Sequence, residues 1–151
     1  MELIQNMGIR EPPQEMLESV CDHIINSYPK IRSAGIINDK GRLLAESTRK
    51  GSDKIVDEKE QEMLLTEIAL SIRMRREHDG VLGPLDFTIS YQAMSISMNF
   101  PLGDKILCIL AEKGIDAISI SSQIMYMLRT VQGVIRKCVA EKEILSAKSL
   151  T

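Results

Sequence analysis

Aromatic side chains are scarce in this chain, and basic residues are not in excess: Lys and Arg number 19 against 21 Asp and Glu. Aromatic residues make up 3% of its 151 residues and Trp is absent, so Ile, Leu, Val and the 9 Met must fill most of the core. The formal net charge is −2. Because a nucleic-acid-binding domain normally carries a basic stripe or a strong basic excess, we predict no nucleic-acid partner.

The residues that usually build metal centres and active sites are also few. The chain has 3 Cys, at positions 21, 108 and 138, and 2 His, His23 and His78. No CxxC pair occurs, and the spacings of zinc sites, P-loops, dinucleotide-binding turns and nucleophile elbows are missing from the sequence. We therefore predict no metal, no cofactor and no catalytic residue, with both His on the surface and the thiols buried and reduced.

Long apolar runs are missing from the sequence as well. No segment approaches the ~20 apolar residues that a membrane-spanning helix needs, and residues 1–10 lack an apolar signal core. Hydrophobic residues make up 44% of the chain and charged residues 26%, an ordinary globular balance. We expect a lead-in over residues 1–11, a single cytoplasmic domain over residues 12–146 and a frayed tail over residues 147–151.

Three segments show the apolar spacing of helices. The first begins at Gln14 and ends before Pro29, because proline disfavours helical backbone in the residue ahead of it. The second covers residues 58–76, and Asp57 opens a capping-box pattern at its start. The third begins after Gly114 and extends to the end of the domain. Each of these helices must bury one apolar face.

Two short apolar runs after the first helix indicate a β-hairpin. They cover residues 32–37 and 42–46, and Gly41 between them is predicted to supply the positive φ of the turn. Gly35 lies inside the first run. A glycine at such a position indicates that a helix packs closely against the strand backbone.

The clearest strand signal follows the second helix. Residues 85–91 and 94–100 alternate between apolar and polar side chains, which predicts two strands with one wet face each. The alternation changes phase at Gln92-Ala93, where we expect a tight turn. Residues 106–110 are continuously apolar, which is typical of a central strand.

The predicted order of elements is therefore α-β-β-α-β-β-β-α. One antiparallel sheet is the economical way to bury the apolar faces of three helices. We predict an α+β fold with a five-stranded antiparallel sheet and helices packed on both faces.

The segment IRSAGIINDKGRLLA, residues 31–45, resembles the opening of a family of short proteins of ammonia-oxidising archaea. The hairpin and the order of elements are also similar to the roadblock/LC7 superfamily. The resemblance covers residues 14–135. It implies a roadblock/LC7-like, profilin-like fold in which strands 33–38 and 106–111 form the central pair and residues 84–91 form an edge.

The resemblance also implies a function. Roadblock domains form homodimers by joining two sheets edge to edge, and they serve as platforms or regulators for small GTPases and signalling complexes. The chain is thus expected to be a non-enzymatic scaffold or regulator whose partners are itself and another protein, with a small GTPase or a signalling complex as the candidates. The residues expected at the dimer interface are Leu64, Ile68, Ile72, Asp86, Phe87, Thr88 and Ile89.

One dense basic cluster occurs at the end of the second predicted helix. Cations are favoured there because unpaired carbonyls carry negative partial charge. The other interpretation is that Arg73, Arg75 and Arg76 contact an acidic partner surface. Two other functions stay open: a small-ligand sensor of the PAS or GAF kind, which would need an apolar cavity with convergent polar groups, and, less favoured, an enzyme.

Overall fold

The computed structural model describes residues 12–51 and 57–130, and the elements occur in the predicted order. Helix α1 spans Gln14–Ser27, strand β1 Ile31–Asn38, strand β2 Leu43–Thr48, helix α2 Glu58–Arg76, the short helix α3 Asp79–Leu82, strand β3 Thr88–Tyr91, strand β4 Ile96–Leu102, strand β5 Lys105–Ala111, and helix α4 residues 117–130. The expected lead-in, the expected tail and the continuation of the last helix lie outside the described residues.

The five strands form one antiparallel sheet in the order β2-β1-β5-β4-β3. The two strands with unbroken apolar runs, β1 and β5, lie in the middle, as predicted. Strands β2 and β3 form the two edges. The predicted central pair and the predicted edge are therefore confirmed.

The larger core lies on the face of the sheet that α1 and α4 cover, called here the α1/α4 face. Burying one large aliphatic or aromatic side chain contributes roughly 1.5–3 kcal/mol, so this layer supplies most of the driving force for folding. Its most completely buried side chains are Cys21, Ile24, Ile31, Ile36, Ile96, Met98, Phe100, Leu107, Ile109 and Ile124.

A smaller core lies on the opposite face, under α2. Ile37 and Ile106 from the central strands meet Ala69 and Ile72 from the helix. The helix begins where the capping pattern predicts, since the Asp57 side chain accepts a hydrogen bond of 2.8 Å from the Glu60 N–H. Helices on both faces of the sheet agree with the predicted architecture.

The close approach of a helix to the hairpin occurs at Gly41 and not at Gly35. Gly41 has a φ of 86°, and a Cβ there would lie 2.7 Å from the Thr66 Cα of α2. At Gly35 the nearest atom is the Leu43 Cδ1 of the neighbouring strand, at 3.1 Å. The prediction for Gly35 was wrong because the helix approaches the hairpin at its turn, at Gly41, whereas the space beside Gly35 is occupied by the Leu43 side chain of β2.

Strand β3 is shorter than its alternating sequence predicts. It begins at Thr88, which pairs with Asn99, although the alternation starts at Leu85. Continuing the same register would set Asp86 opposite Pro101. Proline has no N–H to donate to a neighbouring strand, which explains why the ladder does not extend further.

The turn between β3 and β4 is closed by the Gln92 N–H, which donates to the Ser95 carbonyl at 2.9 Å. The tight turn predicted at Gln92 is therefore confirmed. Met94 lies in this turn and is exposed, whereas the alternation predicted that it would face the core. Turn geometry outweighs the hydrophobic pattern at this position.

Candidate functional site

Strand β3 forms an open edge of the sheet. Among the described residues its backbone pairs with β4 alone. Phe87 and Ile89 are half-buried against the α1/α4 core, and the Phe87 ring centre lies 5.8 Å from that of Phe100. Thr88 is half-buried and Asp86 is exposed. An edge of this kind presents unpaired N–H and C=O groups that can pair with another strand.

The opposite edge, β2, is held by neighbouring side chains. The Gln14 Nε2 of α1 donates to the Leu44 carbonyl at 2.6 Å. The Gln61 Nε2 of α2 donates to the Glu46 carboxylate at 3.3 Å. Both faces of this edge therefore lie under a helix that contacts it.

Arg49, directly after β2, fixes the same edge to α1. Its Nε donates to the Ile31 carbonyl at 2.9 Å, and its Nη2 donates to the Tyr28 carbonyl at 2.9 Å. The same Nη2 also donates to the Ile25 carbonyl. The guanidinium thus satisfies carbonyl groups at the end of α1, where a helix leaves its last acceptors unpaired.

The interface residues predicted on α2 differ in their surroundings. Ile72 is buried against the chain's own sheet and Ile68 is half-buried beside it. Leu64 is exposed. Of these three side chains, Leu64 alone is accessible to a partner in this structure, while Ile68 and Ile72 attach the helix to the sheet.

The outer side of α2 carries a second set of apolar side chains that the sequence reasoning missed. Met63, Leu70 and Met74 are exposed, Met63 and Met74 at 60% each. At about 100° per residue they fall within roughly 40° of one another, opposite the buried Ala69 and Ile72. We call these three residues the outer stripe. Their spacing of seven and four residues was the signal, but the stronger pattern of the buried face obscured it.

The short helix α3 directly follows α2 in the chain, and the sequence reasoning did not predict it. Val81 is 88% exposed and Leu82 is 75% exposed. Gly83 ends the helix with a φ of 82°. Exposed large apolar side chains mark protein interaction sites where they form a patch.

Polar groups flank the outer stripe. A shallow, open depression along α2 is lined by Glu67, Leu70, Ser71, Met74, Arg75 and His78. An apolar centre with a polar rim is the usual composition of a protein–protein interface.

The three arginines of the basic cluster at the end of α2 differ in their contacts. The Arg76 Nη2 donates to the Gly103 carbonyl at 2.6 Å and so attaches α2 to the β4–β5 turn. Arg73 and Arg75 are exposed. All three lie in the last turn of the helix, where cations stabilise the macrodipole.

The reactive groups offer little for catalysis. Burial raises the pKa of the Cys21 and Cys108 thiols to about 12, so both are protonated at neutral pH. His23 and His78 are exposed, as predicted. Across the described residues, no three His, Cys, Asp or Glu side chains converge in a way that could hold a metal ion.

No helix within residues 12–51 and 57–130 combines the length and the apolar character needed to traverse a bilayer.

A protein family described as a family of unknown function (DUF6659) matches residues 11–132 of the chain. The chain belongs to this family. The match covers every residue that the structure describes, from α1 to α4. A comparison with curated proteins finds no match.

Solved structures identify the fold of this DUF6659 protein. It is similar to a roadblock/LC7 domain from Streptomyces avermitilis, with a TM-score of 0.62, 12% identity and coverage of 80% of this chain and 98% of that one. It is also similar to Myxococcus xanthus MglB, with a TM-score of 0.66, 10% identity and coverage of 85% and 93%. Schizosaccharomyces pombe profilin gives a TM-score of 0.57, 11% identity and coverage of 78% and 98%. The chain therefore has the roadblock/LC7 fold, as predicted.

Proposed function

We propose that this DUF6659 protein is a non-enzymatic interaction module that forms a homodimer and binds a further protein. The observation that carries the proposal is the exposed apolar surface of α2 and α3, formed by Met63, Leu70, Met74, Val81 and Leu82. Large apolar side chains this exposed on two consecutive helices support an interaction surface, because exposed apolar patches mark protein interaction sites. Met side chains also adapt well to partner surfaces.

The open β3 edge supports homodimer formation. Two copies can pair their β3 strands about a two-fold axis, so that the same surface on each copy contacts its equivalent on the other. MglB, one of the proteins with a similar fold, is described in a tetrameric arrangement. In the proposed dimer, Leu64 of α2 and the edge residues Asp86, Phe87, Thr88 and Ile89 lie at the interface. Ile68 and Ile72 contribute to the interface by attaching α2 to its own sheet.

The proposed partner besides a second copy is a small GTPase or another protein of a cytoplasmic signalling complex. The roadblock fold is the support for this class of partner. Arg73 and Arg75 are placed to contact an acidic surface, because both are exposed at the end of α2. Arg76 contributes indirectly, since its contact with Gly103 holds the end of that helix.

Sedimentation velocity of matched lysine variants tests the dimer. Ser90→Lys adds a charge to the open β3 edge, and Thr48→Lys adds the same charge to the β2 edge. A charged side chain on an edge strand opposes pairing. We expect a dimer for the unmodified protein and for Thr48→Lys, and a monomer for Ser90→Lys. A monomeric unmodified protein, or equal effects of both variants, would contradict the proposal.

Binding to small GTPases from the same genome, loaded with GDP or a GTP analogue, tests the second partner. We expect the Arg73→Ala/Arg75→Ala double variant to lose binding while it melts normally. Arg42→Ala, an exposed arginine in the hairpin turn, is the matched control. Binding that survives in the double variant would remove these two residues from the site, and the absence of binding to every GTPase would remove the partner class.

The other two functions have no comparable support. Within residues 12–51 and 57–130, we find no observation that favours a small-ligand sensor or an enzyme. The predicted resemblance to short archaeal proteins stays a prediction.

A further inference from the structure

The backbone groups of β3 point alternately toward β4 and toward the open edge. The Gln92 N–H donates to the Ser95 carbonyl at 2.9 Å, so the polar backbone groups of Gln92 face β4. Because successive residues of an antiparallel strand direct these groups to opposite sides, those of Ser90 and Thr88 face β4 as well. The residues whose N–H and C=O groups point out of the sheet are Ile89, Tyr91 and, directly before the strand, Phe87.

The side chains of these three residues lie on the α1/α4 face of the sheet. Phe87 and Ile89 are half-buried against that core. The alternation of a strand places Tyr91 on the same face. Lys113, which precedes α4, has its Nζ 5.4 Å from the centre of the Tyr91 ring. Tyr91 is nevertheless 60% exposed, so a large aromatic ring stands uncovered at the open edge.

Helix α4 lies over β4 and leaves the outer part of β3 uncovered. The Ser121 Oγ of the helix donates to the Met98 Sδ of β4 at 3.4 Å. One flank of the helix faces the edge strand, since the Arg129 Nη2 lies 4.0 Å from the Asp86 Oδ1. At about 100° per residue, Ile118 lies on this flank, and it is 69% exposed. An apolar side chain of α4 therefore borders the open edge without a neighbour of its own size.

Pairing of two β3 strands would leave a gap between the two α4 helices. The β4 strands of the two copies would be three strand spacings apart, which is ~14 Å at ~4.8 Å each. Helices in direct contact lie ~8–10 Å apart. The α4 helices would therefore not touch, and the space between them would be filled by the side chains that both β3 strands direct to this face.

The outward-pointing backbone groups favour one register for that pairing. A two-fold axis at Ile89 pairs Ile89 with its equivalent and Phe87 with Tyr91 in both directions, so all three residues of each copy form hydrogen-bonded pairs. An axis at Thr88 leaves Tyr91 without an outward-pointing partner on the other β3. An axis at Ser90 leaves Phe87 without one. The register centred on Ile89 is therefore the one with the most backbone hydrogen bonds.

We propose that two copies pair with Ile89 on the two-fold axis, so that Tyr91 of each copy packs on Phe87 of the other in the gap between the α4 helices. This inference rests on the proposed homodimer and names the register and the side chains that determine its specificity. Rings on directly opposed residues of neighbouring strands are close enough to interact. The contact also gives the exposed Ile118 an apolar neighbour.

Cysteine crosslinking distinguishes the possible registers. With Ile89 on the axis, Thr88 of one copy lies opposite Ser90 of the other as a non-hydrogen-bonded pair. The Cα atoms of such a pair are ~4.5 Å apart, which is within the reach of a disulfide. In a Cys138→Ser background, a mixture of Thr88→Cys and Ser90→Cys proteins is expected to form a covalent dimer under mild oxidation. Each variant alone is expected to remain uncrosslinked on a non-reducing gel.

The other registers give different crosslinking patterns. An axis at Thr88 would crosslink the Thr88→Cys protein alone, and an axis at Ser90 would crosslink Ser90→Cys alone. Either result overturns the inference. Burial raises the pKa of the Cys21 and Cys108 thiols to about 12, which keeps both largely unreactive. Thr48→Cys, an exposed position on the β2 edge, is the matched control and is expected to remain uncrosslinked.

The dissociation constant from sedimentation equilibrium tests the aromatic contact. Tyr91→Ala is expected to weaken the dimer by roughly tenfold, as loss of a well-packed interface side chain does. Tyr126→Ala removes a ring that is 77% exposed on α4 and is expected to leave the affinity unchanged. A stable dimer in which the cysteine mixture does not crosslink, or in which Tyr91→Ala has normal affinity, overturns this inference and leaves the homodimer intact. A monomeric unmodified protein overturns both.

Discussion

The two edge strands of the sheet differ in the contacts that neighbouring side chains make with them. At β2, Gln14 bonds directly to a strand carbonyl and Arg49 fixes the end of the strand to α1. At β3, the described residues provide no such contact to the strand backbone. A sheet with two open edges can add copies without limit, whereas one open edge pairing with itself stops at two. For the proposed homodimer, this difference favours a closed pair over a fibre.

The largest expected effect comes from a charge at the open edge. Phe87→Asp removes the ring that packs beside Phe100 and sets a carboxylate against the α1/α4 core. We expect a loss of about 3 kcal/mol in the free energy of unfolding, together with loss of the dimer. Urea denaturation and size-exclusion chromatography measure both, and Phe87→Leu is the control. Melting and elution that match the unmodified protein would show that β3 is not the edge we describe.

A methyl group at Gly41 is expected to have the next largest effect, on the β2 side of the sheet. Its Cβ would lie 2.7 Å from the Thr66 Cα, and the residue has a φ of +86°. We expect Gly41→Ala to lower the free energy of unfolding by about 2–3 kcal/mol, because backbone strain and the clash with α2 act together. Urea denaturation measures the loss. Gly51→Ala isolates the strain, because Gly51 has a φ of +82° with no atom within 4 Å of its Cβ position. Equal losses in the two variants would show that α2 does not approach the turn so closely.

Removing the Arg49 guanidinium, which attaches the β2 edge to α1, is expected to lower the free energy of unfolding by about 2 kcal/mol. Hydrogen bonds to charged groups contribute about 1.5–3 kcal/mol. Arg49→Ala leaves the carbonyls of Tyr28 and Ile31 without that donor. Arg49→Lys should restore little of the lost stability, since an ammonium group cannot reproduce the fixed planar arrangement of donors in a guanidinium group. Urea denaturation of both variants gives the result. Full stability of Arg49→Lys would mean that charge alone matters at this position.

The smallest effect is expected from Gln14→Ala. The hydrogen bond to the Leu44 carbonyl is exposed, so its loss should cost about 0.5 kcal/mol. The sedimentation coefficient should stay that of the unmodified protein, because the contacts of Gln61 and Arg49 still hold this edge. Species larger than the dimer would indicate that Gln14 alone keeps β2 from pairing.

The sequence was sufficient for the architecture because each strand and helix carries its own periodicity. The alternation predicts β3 and β4 as strands with one wet face each, and the unbroken apolar run predicts β5 as a central strand. The edge position of β3 came from the resemblance to roadblock domains. Local geometry limited the rest. Met94 follows the apolar phase of a strand but lies in a turn, and Pro101 shortens the ladder at Asp86 without leaving a mark in the alternation.

The candidate site was less predictable than the fold. Ile68 and Ile72 matched an apolar stripe, but such a stripe does not state whether it faces the chain's own sheet or a partner. Met63 and Met74 belong to the opposite side of the same helix, and their meaning depends on which side the sheet occupies. Arg76 likewise cannot be told from Arg73 and Arg75 by sequence. Its hydrogen bond to the Gly103 carbonyl distinguishes it in the structure.

The central position of β5 bears on how the chain folds as it is synthesised. Strand β1 emerges early from the ribosome, yet its antiparallel neighbour on the inner side is the last strand to be made. Contacts between residues so distant along the chain slow folding, and until they form the nascent hairpin exposes the inner side of β1 to other chains. The order of synthesis therefore leaves one side of β1 without its strand partner until β5 has been made.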